Sequence, residues 1–553
     1  MAHPPYFWLM KSSLLLLAAI AFHCSFAQQK KVDLLIYNAT IYTVDQNFSI
    51  QSAIAIDKGK VVETGSTQQL SKKYKALESK DANGKFIYPG FIDAHAHFFN
   101  YGLGLQTADL VGTTSWEDIL NKLQAFATEH KEGWLIGRGW DQNDWDKKEF
   151  PTREKLDLLF PGRPVILTRV DGHAAIANKT ALELAGITPG QTLVGGQVEV
   201  KNGELTGILV DNAVDLVSSR IPAPTVDQMK AGLMAAQSNC FAVGLTTVDD
   251  CGIDYRVALL MDSLQKAKEL KMRIYAMLSD DPVNYNFLFA KGKIKTDRLN
   301  VRAFKVYADG ALGSRGAALL QPYSDKPGWS GFLLSSQHHF DSVASIISRH
   351  GFQMCTHAIG DSGNRTILNI YAKYLGNKND RRWRIEHAQV INPADFHMFG
   401  QYSIIPSVQP THATSDMYWA ADRLGTERVK GAYAFRQLLN ENGWIPLGTD
   451  FPVEDISPFK TFYAAVFRID ANQYPKGGFQ MENALTRQQA IRGMTIWAAK
   501  ANFEEKEKGS LEKGKWADLI ILDKDLMHIE AKDVLSTSVL TTIVGGETVY
   551  SKN

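Results

Sequence analysis

Between residues 245 and 448 short apolar runs take turns with helical patterns, and that alternation leaves few folds open. Strand-like runs fall at 245–248, 274–278, 301–306, 352–356, 384–387, 403–407 and 445–448, with a further one at 165–167. Apolar residues at helical spacing fill 228–241, 255–270, 342–350 and 363–375. Strand and helix in steady succession build a parallel sheet, and this many units closes it into a (β/α)8 barrel of the TIM type. The expected class is therefore α/β. A bare barrel needs about 250 residues, so the region 87–500 carries an insertion at about 100–228. That insertion is rich in Trp, Asp and Gly around Gly137-Arg138-Gly139-Trp140-Asp141.

The two ends read differently. Residues 32–66 and 517–550 contain short alternating strands. Neither set can bury its apolar face alone, so 28–86 and 501–553 are expected to join as one small composite β-sandwich domain. Ahead of them, Lys11 precedes an apolar run at 14–22, followed by the small-x-small pattern Ser25-Phe26-Ala27. That is the layout of a secretory signal peptide over 1–27, cleaved after Ala27 and too short to span a bilayer. It points to a periplasmic protein. Cys24 offers lipoprotein processing as the alternative, against which stands the bulky His23 before it.

Charge and cysteine usage narrow the rest. Lys+Arg number 60 against 59 Asp+Glu, which leaves no electrostatic footprint for nucleic acid. With the leader removed, Cys240, Cys251 and Cys355 remain, too few for a disulfide framework. They read as buried small apolar residues, with a Cys240–Cys251 pair as the alternative.

The chemistry begins where Phe91-Ile92-Asp93-Ala94 runs into His95-Ala96-His97. Alternation along a strand sends both imidazoles to one side, roughly 7 Å apart at the Cα, and that is half of a metal site. His357, His387 and Asp450 close other strand-like runs, and strand C-termini converge on one mouth of a barrel. Lys305 lies inside the run 301–306, where an ammonium is costly. Either it pairs with Asp309 or Glu386, or, desolvated near cations, it loses its proton and is carbamylated into an anion able to bridge two metals.

These residues sit in motifs that resemble the amidohydrolase superfamily and, within it, amidohydrolase family 3, the YtcJ-like metal-dependent hydrolases. The motifs are Pro89-Gly90-Phe91-Ile92-Asp93-Ala94-His95-Ala96-His97, Asp171-Gly172-His173, the stretch 305–315, Thr356-His357-Ala358-Ile359-Gly360-Asp361, Arg384-Ile385-Glu386-His387-Ala388, Gly448-Thr449-Asp450-Phe451-Pro452-Val453 and 509–519. The resemblance spans the mature chain and implies the same barrel and composite β-domain. It further implies that His95, His97 and Asp450 hold one divalent metal and His357 and His387 a second, with carbamylated Lys305 between them. A one-metal site is the alternative. Zinc suits these ligands, with manganese or iron as alternatives.

The implied activity is hydrolysis of a non-peptide C–N bond in a small molecule by a metal-activated hydroxide, with Asp450 moving the proton. By their motifs, His173, Arg315 and His412 are candidates to hold the substrate or its oxyanion. Tyr101 and the Trp-rich stretch are candidates to line the pocket. Two readings compete: a metallo-esterase or phosphoesterase using the same site, and a non-catalytic secreted binding protein.

Overall fold

The computed structural model describes Met1 and residues 29–552; the expected leader's apolar run, its cleavage site and Cys24 lie outside the described residues. Seven parallel strands form the barrel sheet: β1 (Phe91–Ala96), β2 (Leu245–Ile253), β3 (Arg273–Ser279), β4 (Leu299–Tyr307), β5 (Gln353–Ala358), β6 (Arg384–His387) and β7 (Ile405–Ser407). Each pairs with its neighbour in chain order. The eighth place is taken by residues 446–451, bonded on both sides. Gly448 donates to the Val408 carbonyl (3.1 Å), while Ala94 donates to that of Leu447 (3.2 Å) and Asp450 to that of His95 (2.8 Å). Only glycine fits at 448, because a Cβ there would lie 2.5 Å from the His95 nitrogen.

The period of two along the strands sorts the core. Cys251, Tyr275, Met277, Ala303 and Cys355 pack together as one cluster. The residues alternating with them, such as Ala276, Leu278, Phe304 and Met354, belong to the large core between strands and helices. All three cysteines are free and buried, so the alternative of a Cys240–Cys251 bond does not hold. Arg384, at the start of β6, donates to Asp249 (2.9 Å), which also accepts from Asn502 (2.5 Å), so this interior charge is neutralised.

The two ends of the chain meet in one eight-stranded sheet. Its first strand, Lys30–Tyr42, shifts register after Tyr37 and pairs in turn with Tyr74–Asp81 and Phe86–Pro89. Leu519–Leu522 then lies antiparallel to Phe86–Pro89, with Ile520 opposite Tyr88. The expected composite β-domain is present, and Gly90 alone separates it from β1.

The insertion has its own six-stranded sheet. Val165–Arg169 belongs to it, between Leu135–Trp140 and Ala174–Ala177, and not to the barrel. Trp140 and Trp145 fill this unit's core, and the Trp140 indole donates to the Leu167 carbonyl (2.8 Å). Among the described residues no helix is long and apolar enough to cross a membrane.

Candidate metal centre and active site

His95 is the penultimate residue of β1, and His97 follows the strand at the start of helix Phe98–Gly104. His357 lies near the end of β5, His387 ends β6, and Asp450 follows the Gly448 contact with β1. Asp93 fastens that last segment, accepting from the Thr449 amide (2.9 Å) and hydroxyl (2.6 Å). His387 and Asp450 adopt φ of +72° and +67°, a region that non-glycine residues seldom occupy outside functional positions.

The residues expected at the mouth do gather there. Potential ligand atoms of His95, His387 and Asp450 lie within 4.8 Å of one another. Asp450 Oδ1 is 3.2 Å from His97 Nε2 and 3.4 Å from His95 Nε2, and Lys305 Nζ is 3.2 Å from His95 Nε2. The His357 and His387 rings are 4.6 Å apart between centroids. His357 Nε2, His387 Nδ1 and Asp450 Oδ1 are buried without a hydrogen-bond partner. Buried acceptor-capable atoms without partners are costly unless a cation satisfies them, so the compact set His95, His387 and Asp450 fits a divalent metal, with His357 beside His387.

Electrostatics agree with that fit. Burial, together with Lys305, pushes His95 down to about 4, and burial drives His357 and His387 well below the usual imidazole range. Their rings are neutral and can donate a lone pair. Burial raises the Asp450 carboxyl, but the surrounding His95, His412 and His97 outweigh it and hold the group well below the ordinary carboxylate range. Burial also lowers the Lys305 amine, yet Tyr307, Cys251, Glu386 and Asp450 outweigh it and raise the amine overall. Burial by itself therefore does not remove the lysine proton, and the expected deprotonation depends on neighbouring cations.

Three acidic side chains hold this cluster in place; the sequence offered Glu386 only as a partner for Lys305, and Asp211 and Glu454 not at all. Glu386 Oε2 meets His95 Nδ1 at 2.6 Å. Asp211, at the end of insertion strand Glu204–Asp211, meets His173 Nδ1 at 2.6 Å and sets that ring 5.1 Å from the His357 ring. Glu454 holds His412 Nδ1 at 3.1 Å, while His412 Nε2 faces Asp450 Oδ2 at 3.1 Å. Glu386 carries a sequence signal of the same kind as Lys305, a charge inside a buried strand.

A cavity of about 520 Å³ opens over the centre, lined by residues of both the barrel and the insertion, among them His173 and His412. Arg315 is a correction: its guanidinium grips Asp325 (2.8 Å) and it is not among the lining residues. The motif that suggested it brings Ala311, Leu312 and Gly313 to the cavity instead, because the chain turns at Arg315 with φ +64°. Tyr101 is also absent from the lining, its hydroxyl accepting from Asn239 (2.8 Å).

Fold and centre together place the chain among barrel hydrolases that depend on metal. Its residues 78–550 match the family described as "Amidohydrolase family", and the chain belongs to that family. It is 30% identical to the putative amidohydrolase YtcJ of Bacillus subtilis (strain 168), over 93% of this chain and 98% of that protein. Against the N-substituted formamide deformylase of Arthrobacter pascens the identity is 26%, over 94% of this chain and 98% of the relative. A solved structure of an uncharacterized metal-dependent hydrolase from Pyrococcus horikoshii superposes with a TM-score of 0.74 at 28% identity. That alignment covers 90% of this chain and 99% of the other.

Proposed function

We propose that the protein hydrolyses a non-peptide, amide-type C–N bond of a small molecule, using zinc held by His95, His97, His357, His387, Asp450 and a carbamylated Lys305. The reading includes export by the leader at 1–27 and action in the periplasm, supported by the apolar run at 14–22 and Ser25-Phe26-Ala27. The observation that carries the chemistry is the buried, unpartnered Asp450 Oδ1, set between His95 and His97 while its second oxygen faces His412.

A divalent metal in this donor set lowers the pKa of water toward neutrality and polarises a carbonyl. Asp450 takes the proton released as a water oxygen bonds to the carbonyl carbon, and His412 keeps its carboxylate aimed. The C–N bond then breaks, the Asp450 proton passes to the departing nitrogen, and an acid and an amine result. His173, steadied by Asp211, lies beside His357 and donates toward the oxygen that gains charge. An amine departs far more readily once protonated, and a proton-carrying carboxyl at the centre supplies that need. The formamide-cleaving relative supports the same bond type.

The test is Asp450→Asn, with metal content measured beside turnover on formamides, N-acyl amino acids and cyclic amides. Loss of turnover by at least about a hundredfold is expected. Full activity in the variant rejects the proton-transfer role, and equal or better rates on matched esters reject the bond assignment.

A further inference from the structure

The insertion strand Leu135–Trp140 delivers Arg138 to the wall of the same cavity. Its guanidinium is treated differently from the others nearby. Arg169 is held by Asp141 (2.5 Å), Asp171 and Gln142 (2.9 Å), and Arg315 and Arg423 share Asp325. Arg138 has no carboxylate within ion-pair distance among the described residues. Its one hydrogen bond runs from Nη2 to the Val170 carbonyl (3.0 Å), and Nε is buried with no partner. The loop Asp171-Gly172-His173 passes close by, since a Cβ on Gly172 would stand 3.5 Å from Nη2.

None of the acids lining the cavity forms an ion pair with Arg138 among the described residues. Asp141 and Asp171 are taken by Arg169, and Glu454 by His412 and Ser415. A guanidinium anchored by one carbonyl and left with donors facing a cavity is arranged to receive a planar, two-oxygen anion. Of the other cations on the cavity wall, Lys305 stands against His95 in the metal centre (3.2 Å) and Arg169 is taken by Asp141, so Arg138 offers a single free guanidinium, which suits a carboxylate better than a more highly charged phosphate. Resting on the amide-hydrolase reading, we infer that the substrate carries a carboxylate beside its scissile amide, and that Arg138 binds it. N-acyl and N-formyl amino acids are the class that combines these groups. Arg138 is then a specificity residue, bonded to the substrate but not to the reacting atoms.

The experiment compares N-acyl and N-formyl amino acids with matched amino alcohols, in which hydroxymethyl replaces carboxylate, on the metal-loaded protein and its Arg138→Gln and Arg138→Lys variants. The wild type should favour the acids by at least about tenfold in kcat/KM. Arg138→Gln should erase that preference, chiefly through KM, leaving the alcohols within about twofold, and Arg138→Lys should restore it only in part. Equal rates on acid and alcohol in the wild type, or a variant that slows both alike, overturns the inference. Calorimetric binding of the same pairs separates the two claims. Acid-selective binding lost in Arg138→Gln without turnover sinks the reaction but keeps the recognition, whereas absent or unselective acid binding sinks the recognition.

Discussion

Glu386 Oε2 stands 2.6 Å from His95 Nδ1, and both side chains are fully buried. An acceptor there fixes the proton on Nδ1 and leaves Nε2, the nitrogen facing Asp450 and Lys305, with its lone pair. Glu386→Gln should lower metal affinity by about 10- to 100-fold with the fold retained. Competition with a chromophoric chelator measures this, and an unchanged affinity would show that Glu386 does not tune the ligand.

Asp211 plays the corresponding part for His173 within the insertion, and the His173 ring meets the barrel at His357. Asp211→Asn keeps the size and removes the anion. The variant should lose about a hundredfold in kcat, on the order of one oxyanion donor, while KM moves far less. A change confined to KM would make His173 a binding group only.

Lys305 tests the proposed carbamate. Lys305→Ala should be inactive and take up less metal, and added acetate or propionate should restore part of both by supplying a carboxylate in place of the proposed carbamate. Reconstitution of the wild type should also improve with bicarbonate. Indifference to both additives would point to an unmodified lysine.

Asp250 gives a test away from turnover. Burial pushes its carboxyl up to about 7, although it accepts the Phe99 amide (3.1 Å). A raised carboxyl binds its proton more tightly in the folded chain than in the unfolded one. Its effect is neutral at low pH, and stability falls as the pH climbs from about 4 to about 7. Asp250→Asn should remove this effect, flattening the decline in unfolding free energy between pH 5 and 8 by an amount on the order of 1–3 kcal/mol, as read by denaturant titration. A decline identical to that of the wild type would assign the slope to other groups.

The barrel and the gathering of the candidate ligands were legible because His95, His357 and His387 lie at or near strand ends, and the strand period says which way they point. His95 with His97, and the ends of β5 and β6, need only local pattern and the rule that barrel strand ends converge. Val165–Arg169 misled because a buried apolar run looks alike in either sheet. Arg138 and Asp211 escaped for a related reason. Their importance depends on how the insertion seats against the mouth, a long-range packing outcome that no local spacing encodes. Arg315 failed in the opposite sense, since a motif can travel intact while one member turns outward to a neighbouring aspartate.

The antiparallel seam between Phe86–Pro89 and Leu519–Leu522 joins stretches separated by most of the polypeptide. During synthesis the first of them must wait, its hydrogen-bonding edge open, until residues 519–522 have left the ribosome some four hundred and thirty residues later. Completion of this sheet is thus postponed long after its first strands emerge, and removing residues 519–553 should leave a barrel whose entry strand has lost its neighbour.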